Sequence, residues 1–189
     1  MARIPFVQQE TASPEVAVLF AKMKANGAPP QNMWKMAAHV PSALPHFVKM
    51  GRALLTETRL APRLREMAIV RQAEIVGCEY ERKAHAAFGR EVGMVDEQIA
   101  GIRDWKCSDA FDEVERAVLR FTDEAVKDVG VSDATFDALA KHLDPDMMVE
   151  LALTIGFYGM IARLLMPFQV ELDDDALTSP SQILGRSRS

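Results

Sequence analysis

Only two cysteines, Cys78 and Cys107, occur in the 189 residues. They are too far apart for a Cys-x-x-Cys pair, and with four dispersed histidines they give no zinc-ligand spacing. A disulfide scaffold is not implied, and a reduced, cytoplasmic state is the expectation. Positive charge is also short. Twenty-two Lys and Arg against 27 Asp and Glu leave a net charge of −5 and a pI near 5.4, which argues against a general binder of nucleic-acid phosphates. The one basic run is the short Arg186-Ser187-Arg188. No uninterrupted apolar stretch reaches the roughly 18 residues of a membrane span. The richest, Met147 to Met166, is broken by Glu150 and Arg163, so no membrane partner is expected. Met1-Ala2-Arg3-Ile4-Pro5 begins no apolar run of signal-peptide length. There is no Gly-rich phosphate loop, no serine in a nucleophile-elbow context and almost no strand-like alternation.

What is present is helical periodicity. Hydrophobic residues make up 49% of the chain, enough for a full core in one domain of ordinary size. Ser13-Pro14-Glu15 opens a helix that Asn26-Gly27 stops. Further helices are predicted over 31–40, from 42 to about 59, and from Pro62 to a C-terminal stop at Gly77. Cys78 or Glu79 starts the next, which runs to Val92-Gly93, and Val95 opens a short one. A long amphipathic helix is predicted from Asp109 to about Val129. Ser132-Asp133 caps another, and Asp144-Pro145-Asp146 caps a last long helix ending before Pro167. The fold class is therefore all-α: a single-domain helical bundle over 1–172, followed by an acidic, then Ser- and Pro-containing tail over 173–189. The last long helix is apolar on most sides, as in a core centre or a subunit interface, so self-association is expected.

The densest cluster of proton-transferring side chains is Gly77-Cys78-Glu79-Tyr80-Glu81-Arg82-Lys83-Ala84-His85, with Glu66 one helix upstream. If the two helices joined at Gly77 fold back as an αα-hairpin, residues equally far from the turn sit side by side. Glu66 lies eleven residues before Gly77 and His85 eight after it. These are offsets of roughly 16 and 12 Å, so the two side chains approach within about a helical turn. Cys78, Glu81 and His85 share one helix face. Cys78 and His85 are about 10 Å apart along the axis, so Glu81, Glu66, a water or a substrate must lie between thiol and imidazole. The helix N-terminus favours a Cys78 thiolate, whereas ionised Glu66 and Glu81 oppose it. A carboxylate beside His85 would orient the ring and stabilise imidazolium, as a general acid or base requires.

Each residue also has a plain structural reading. Cys78 could be a small buried side chain, Tyr80 ordinary packing, and Glu79, Glu81, Arg82 and Lys83 a solvated face with intrahelical ion pairs. It is their joint occurrence that points to chemistry.

Leu64-Arg65-Glu66, then Gly77-Cys78-Glu79-Tyr80-Glu81 and His85, resembles the signature of the carboxymuconolactone decarboxylase and alkylhydroperoxidase D-like superfamily. The likeness extends over roughly residues 35–172. It implies an all-α bundle that assembles into trimers or hexamers. Alkylhydroperoxidase-like members use a glutamate, a Cys-x-x-Cys pair and a histidine. Glu66, Cys78 and His85 match the glutamate, first cysteine and histidine, while Glu81 takes the second cysteine's place. A dithiol relay is thus unavailable unless folding brings Cys107 close. The Cys-Glu-Tyr-Glu form looks like the decarboxylase-like branch.

The leading expectation is a cofactor-independent, decarboxylase-like enzyme acting on a small organic acid, lactone or carbonyl compound. His85 would be the general acid/base, Glu66 its partner, and Cys78 a further acid, base or polar contact. Tyr80 and Glu81 would complete the pocket, and Arg82 or Arg163 would bind a substrate carboxylate. The alternatives are a single-cysteine hydroperoxide reductase, in which Cys78 is oxidised and an external thiol restores it, and a non-catalytic oligomeric binding protein.

Overall fold

Capping side chains set the helix starts. Ser13 Oγ accepts from the Val16 N–H at 3.4 Å and opens α1 (Pro14–Ala25). Ser132 Oγ accepts from Thr135 N–H at 3.3 Å and opens α8 (Asp133–Ala140). Asp144 Oδ1 accepts from Met147 N–H at 3.1 Å at the head of α9 (Pro145–Phe168). Between them lie α2 (Asn32–Ala37), α3 (Leu44–Thr56), α4 (Pro62–Val76), α5 (Glu79–Glu91), α6 (Asp96–Gly101), a 3-10 turn (Trp105–Cys107) and α7 (Glu113–Lys127). This computed structural model describes residues 1–173, and among them there is no strand. The fold is all-α.

Several boundaries differ from the sequence reading, among them both ends of the third helix, Leu44–Thr56 rather than 42 to about 59. The long helix starts at Glu113 rather than Asp109, because Asp112 and Glu115 form a reciprocal capping box. Asp112 Oδ1 accepts from Glu115 N–H and Glu115 Oε2 from Asp112 N–H, each at 2.9 Å. The last helix runs through Pro167 to Phe168 and stops where Gln169 turns left-handed at φ 51°. A proline so near a helix end forfeits little. The second helix is shorter than expected, Asn32–Ala37 instead of 31–40.

The chain divides into two compact units. The first holds Met1–Thr56 together with residues 163–173. It builds its own apolar cluster from Val16, Phe20, Ala38 and Leu44, with Trp34 and Val48 against it. Within it Arg3 N–H donates to Phe168 O at 2.9 Å, and Asn32 N–H to Asp173 Oδ1 at 2.8 Å. The remainder of the expected tail, 174–189, lies outside the described residues.

The second unit, Glu57–Ala162, carries α4 to α8 and most of α9. Its centre is α4, on which every residue from Arg65 to Ala73 is buried. Helix α4 packs most extensively on α5 and then on α7. Leu60, Ala68, Val118, Leu139, Leu151 and Ile155 fill one apolar cluster. Met67, Val70, Ala86, Met94, Trp105 and Leu119 fill another. Removing each large side chain from water contributes about 1.5–3 kcal/mol. The buried Arg71 ties α4 to α7 through Asp123 Oδ1 at 2.6 Å and to the end of α6 through the Ile102 and Arg103 carbonyls at 3.0 and 2.8 Å.

Helix α9 is long and apolar enough, by length and composition alone, to cross a membrane. Its buried residues Leu151, Thr154, Ile155, Phe157, Tyr158 and Ile161 show it serving as a core helix. Glu150, the charge inside its apolar run, accepts from the N–H groups of Arg59 and Leu60 in the segment leading to α4.

Candidate active site

Gly77 makes the site possible. It sits at φ 74° and closes α4, its own N–H and that of Cys78 both donating to Ala73 O. A residue in this left-handed region is disfavoured unless it lacks Cβ. The chain turns back at once, Cys78 caps α5, and the two helices run antiparallel in contact. Helical register then brings Glu66 opposite His85.

The meeting is direct. His85 Nδ1 lies 2.5 Å from Glu66 Oε2, the shorter of the ring's two carboxylate contacts. On the other side of the ring, Nε2 lies 3.2 Å from Glu81 Oε2. Glu66 is held in turn by Arg65, whose Nε donates to Glu66 Oε1 at 3.1 Å. The order is Arg65, Glu66, His85, Glu81, and all four are buried. Two rings fix the imidazole plane edge-on: Tyr158 of α9 with centroids 4.5 Å apart and Phe88 of α5 at 5.0 Å. Phe157 packs edge-on against Tyr158 at 5.5 Å.

The electrostatics follow from this sandwich. Burial disfavours a charged imidazole, but the attraction and hydrogen bonds of Glu66 and Glu81 outweigh it, and the His85 pKa is pushed up to about 9. With His85 protonated, Arg65 and His85 balance Glu66 and Glu81. At neutral pH the ring is therefore an imidazolium with both N–H groups donating to carboxylates. Tyr158 is pushed well above the ordinary phenol range by burial first, then by Glu66 and Glu81, with Arg65 acting the other way. It remains a neutral hydroxyl at any physiological pH.

Cys78 is buried at the α5 N-terminus. Burial raises its pKa, with Glu81 and Glu79 adding to the effect. The backbone N–H groups of Glu81 and Tyr80 act in the opposite direction and are outweighed. Of the two opposing influences on the thiol, desolvation wins. Glu81 links the two ends of the cluster, with its backbone facing the thiol and its carboxylate facing the imidazole. Cys107 is exposed, follows α6, and forms no disulfide.

The remaining expected residues fall in different places. Tyr80 is buried in the first turn of α5. Arg82 is engaged elsewhere, gripping Glu79 with two hydrogen bonds of 2.6 and 2.8 Å on a partly exposed surface. Arg163 is exposed and belongs to the first unit, whereas the cluster lies wholly in the second. The sequence reading assigned no site role to Arg65, Phe88 or Tyr158. Arg65 stands inside the matched motif, but a charge on a helix ordinarily faces water. Tyr158 comes from a distant helix, and no spacing rule connects it to His85.

Residues 41–124, which include Glu66, Cys78, Glu81 and His85, match the model of the carboxymuconolactone decarboxylase family. An uncharacterised Escherichia coli K12 protein, YnjA, is 29% identical over 105 residues, which cover 55% of this chain and 58% of that relative. A solved alkylhydroperoxidase AhpD core, an uncharacterised peroxidase-related protein from Ralstonia eutropha, superposes with a TM-score of 0.80 at 20% identity, covering 94% of this chain and 95% of its own. The debrominase Bmp8, solved with 2,3,4-tribromopyrrole, superposes with a TM-score of 0.75 at 17% identity, covering 92% and 95%. At such identities the superpositions establish the shared fold.

Proposed function

We propose that this protein, which carries a carboxymuconolactone decarboxylase family segment on an alkylhydroperoxidase D-like fold, is a decarboxylase-like enzyme. It delivers a proton to a small organic acid, lactone or carbonyl compound without a cofactor. The observation that carries the reading is the buried His85 clamped between Glu66 and Glu81. A ring held as imidazolium at neutral pH is a general acid in its resting state. Glu66 makes the shorter contact and fixes Nδ1, while Glu81 makes the longer one at Nε2 and is the partner a substrate would displace. When a carbon–carbon bond to a carboxylate breaks and carbon dioxide leaves, the electron pair stays on carbon. Nε2–H then supplies the proton that forms the new C–H bond. Neutral His85 is reprotonated from solvent through Glu81.

The thiol supports this reading over peroxide reduction. A peroxidatic cysteine works as thiolate, whereas burial holds Cys78 as thiol, and the second position of the redox pair is a glutamate engaged with His85. The exposed apolar residues Val149, Leu153 and Met160 on α9 support self-association, with the trimer or hexamer being what the family resemblance implies.

The experiment is a panel of oxo acids and lactones assayed for loss of carbon dioxide. His85→Ala is expected to abolish turnover while keeping a wild-type circular dichroism spectrum. For the wild type, kcat/KM is expected to decline as pH rises through about 9. Wild-type turnover by folded His85→Ala protein would reject the role. Fast, stoichiometric oxidation of Cys78 by peroxide would favour the hydroperoxide reductase instead.

A further inference from the structure

Arg65 is a buried guanidinium that its surroundings only partly satisfy. Its side chain is 6% exposed. Its one side-chain hydrogen bond among the described residues is Nε to Glu66 Oε1. A guanidinium has five N–H donors, and the four on its two Nη atoms have no hydrogen-bond partner among the described residues. Neither Nη is among the fully buried atoms that lack a partner, so the outer end of the fork is open to water or to a ligand. Such a group, held next to a proton donor, is suited to a ligand that completes it.

A second unused donor lies close by. Tyr158 is 4% exposed, and its ring stacks edge-on against His85. Its hydroxyl is neutral and makes no hydrogen bond among the described residues. Arg65, Glu66 and Glu81 are all near enough to act on it electrostatically. The cluster thus places a phenol edge-on against the imidazole and a cationic fork behind its Glu66 partner, both with donors unpaired among the described residues.

We propose that Arg65 and Tyr158 form an oxyanion-binding subsite that holds a carboxylate of the substrate while its reacting carbon faces His85. The proposal rests on His85 as the proton donor and names the substrate class: an acid bound as its anion. Charge agrees, because the four buried groups sum to zero with His85 protonated and do not repel an incoming anion. Geometry agrees, because a guanidinium fork matches a carboxylate with two parallel bonds. The other two candidates for this role are less suitable. Arg82 spends its fork on Glu79, and Arg163 is exposed, where screening weakens any ion pair.

The test uses the full-length protein and two probes of nearly the same shape, benzoate and uncharged benzamide, titrated by NMR. Wild type is expected to bind benzoate more tightly than benzamide. Arg65→Gln is expected to lower benzoate affinity about tenfold or more, the loss of a charge-assisted bond, and to leave benzamide nearly unchanged. Arg65→Lys keeps the charge without the fork and should lie between. Tyr158→Phe should weaken benzoate by a smaller factor. The exposed Arg120→Gln should change neither probe. A purely structural role for Arg65 would weaken both probes together, so the benzoate-to-benzamide ratio is the deciding readout. Should the arginine variants unfold, the Arg65 side-chain resonances of wild type still decide: they must shift on adding benzoate and not benzamide. Equal binding of the two probes by wild type overturns the subsite, as does an unchanged ratio in folded Arg65→Gln. Those results leave His85 as proton donor untouched. A His85 that titrates near its ordinary value would refute the donor role and leave benzoate selectivity standing.

Discussion

Glu66 and Glu81 are not equivalent partners of His85. Glu66 makes the shorter contact, 2.5 against 3.2 Å, and is the stronger of the two in raising the ring's pKa. Replacing Glu66 with Gln should therefore lower the His85 pKa more than replacing Glu81 with Gln. Titration of the ring in each variant checks the order. Equal shifts would mean the two carboxylates share the proton evenly. The spacing of these residues was legible in the sequence, because eleven positions before a glycine stop and eight after it lie side by side in any antiparallel hairpin. What spacing concealed was how much Glu81 contributes. It reads as a pocket residue or a solvated acid, yet it is a direct ligand of the imidazole. Arg65 and Tyr158 were hidden for another reason: their importance comes from burial and from a contact between distant helices, and neither leaves a local pattern.

At the level of elements, the site depends on the α4–α5 bend and on an α4 buried all round. Gly77 has φ 74° and open space where a Cβ would stand, so the cost of adding one is purely conformational. Gly77→Ala is expected to destabilise the protein by about 1–2 kcal/mol, read as a lower denaturation midpoint. An unchanged midpoint would contradict the left-handed turn. Gln72, also on α4, is 1% exposed, and neither its amide nitrogen nor its oxygen has a hydrogen-bond partner among the described residues. Removing such a group relieves a desolvation penalty of about 1–3 kcal/mol. Gln72→Met, which keeps the volume, should leave stability equal or raised, by the same measurement. A marked loss would show that Gln72 pairs with a group outside the described residues. Helix existence was readable from caps and periodicity, whereas boundaries were not always. The Asp112–Glu115 box moved one start by four residues, from Asp109 to Glu113.

For the whole molecule, the clamped imidazole couples chemistry to stability. His85 has a pKa of about 9 in the folded chain, against about 6.5 in an unfolded one. A group whose pKa is raised by folding contributes stability that is full below the unfolded value and is lost as pH rises through the folded value. This contribution is on the order of 3 kcal/mol. The denaturation midpoint should thus fall between about pH 6.5 and pH 9 and beyond, and His85→Gln should flatten that decline. A midpoint constant across this range would argue that the two carboxylates do not hold the proton. The all-α class was plain from the absence of alternation. The division into two units was not, because the sequence has no linker at Thr56 and only packing shows that α1 to α3 form their own core.

The most direct check on the account is the protonation state of His85 in the wild-type protein, read from the nitrogen-15 shifts of its ring by NMR as pH is raised. The account predicts both ring nitrogens protonated at neutral pH, with titration near 9. A neutral ring at pH 7, with one nitrogen bare, would contradict it.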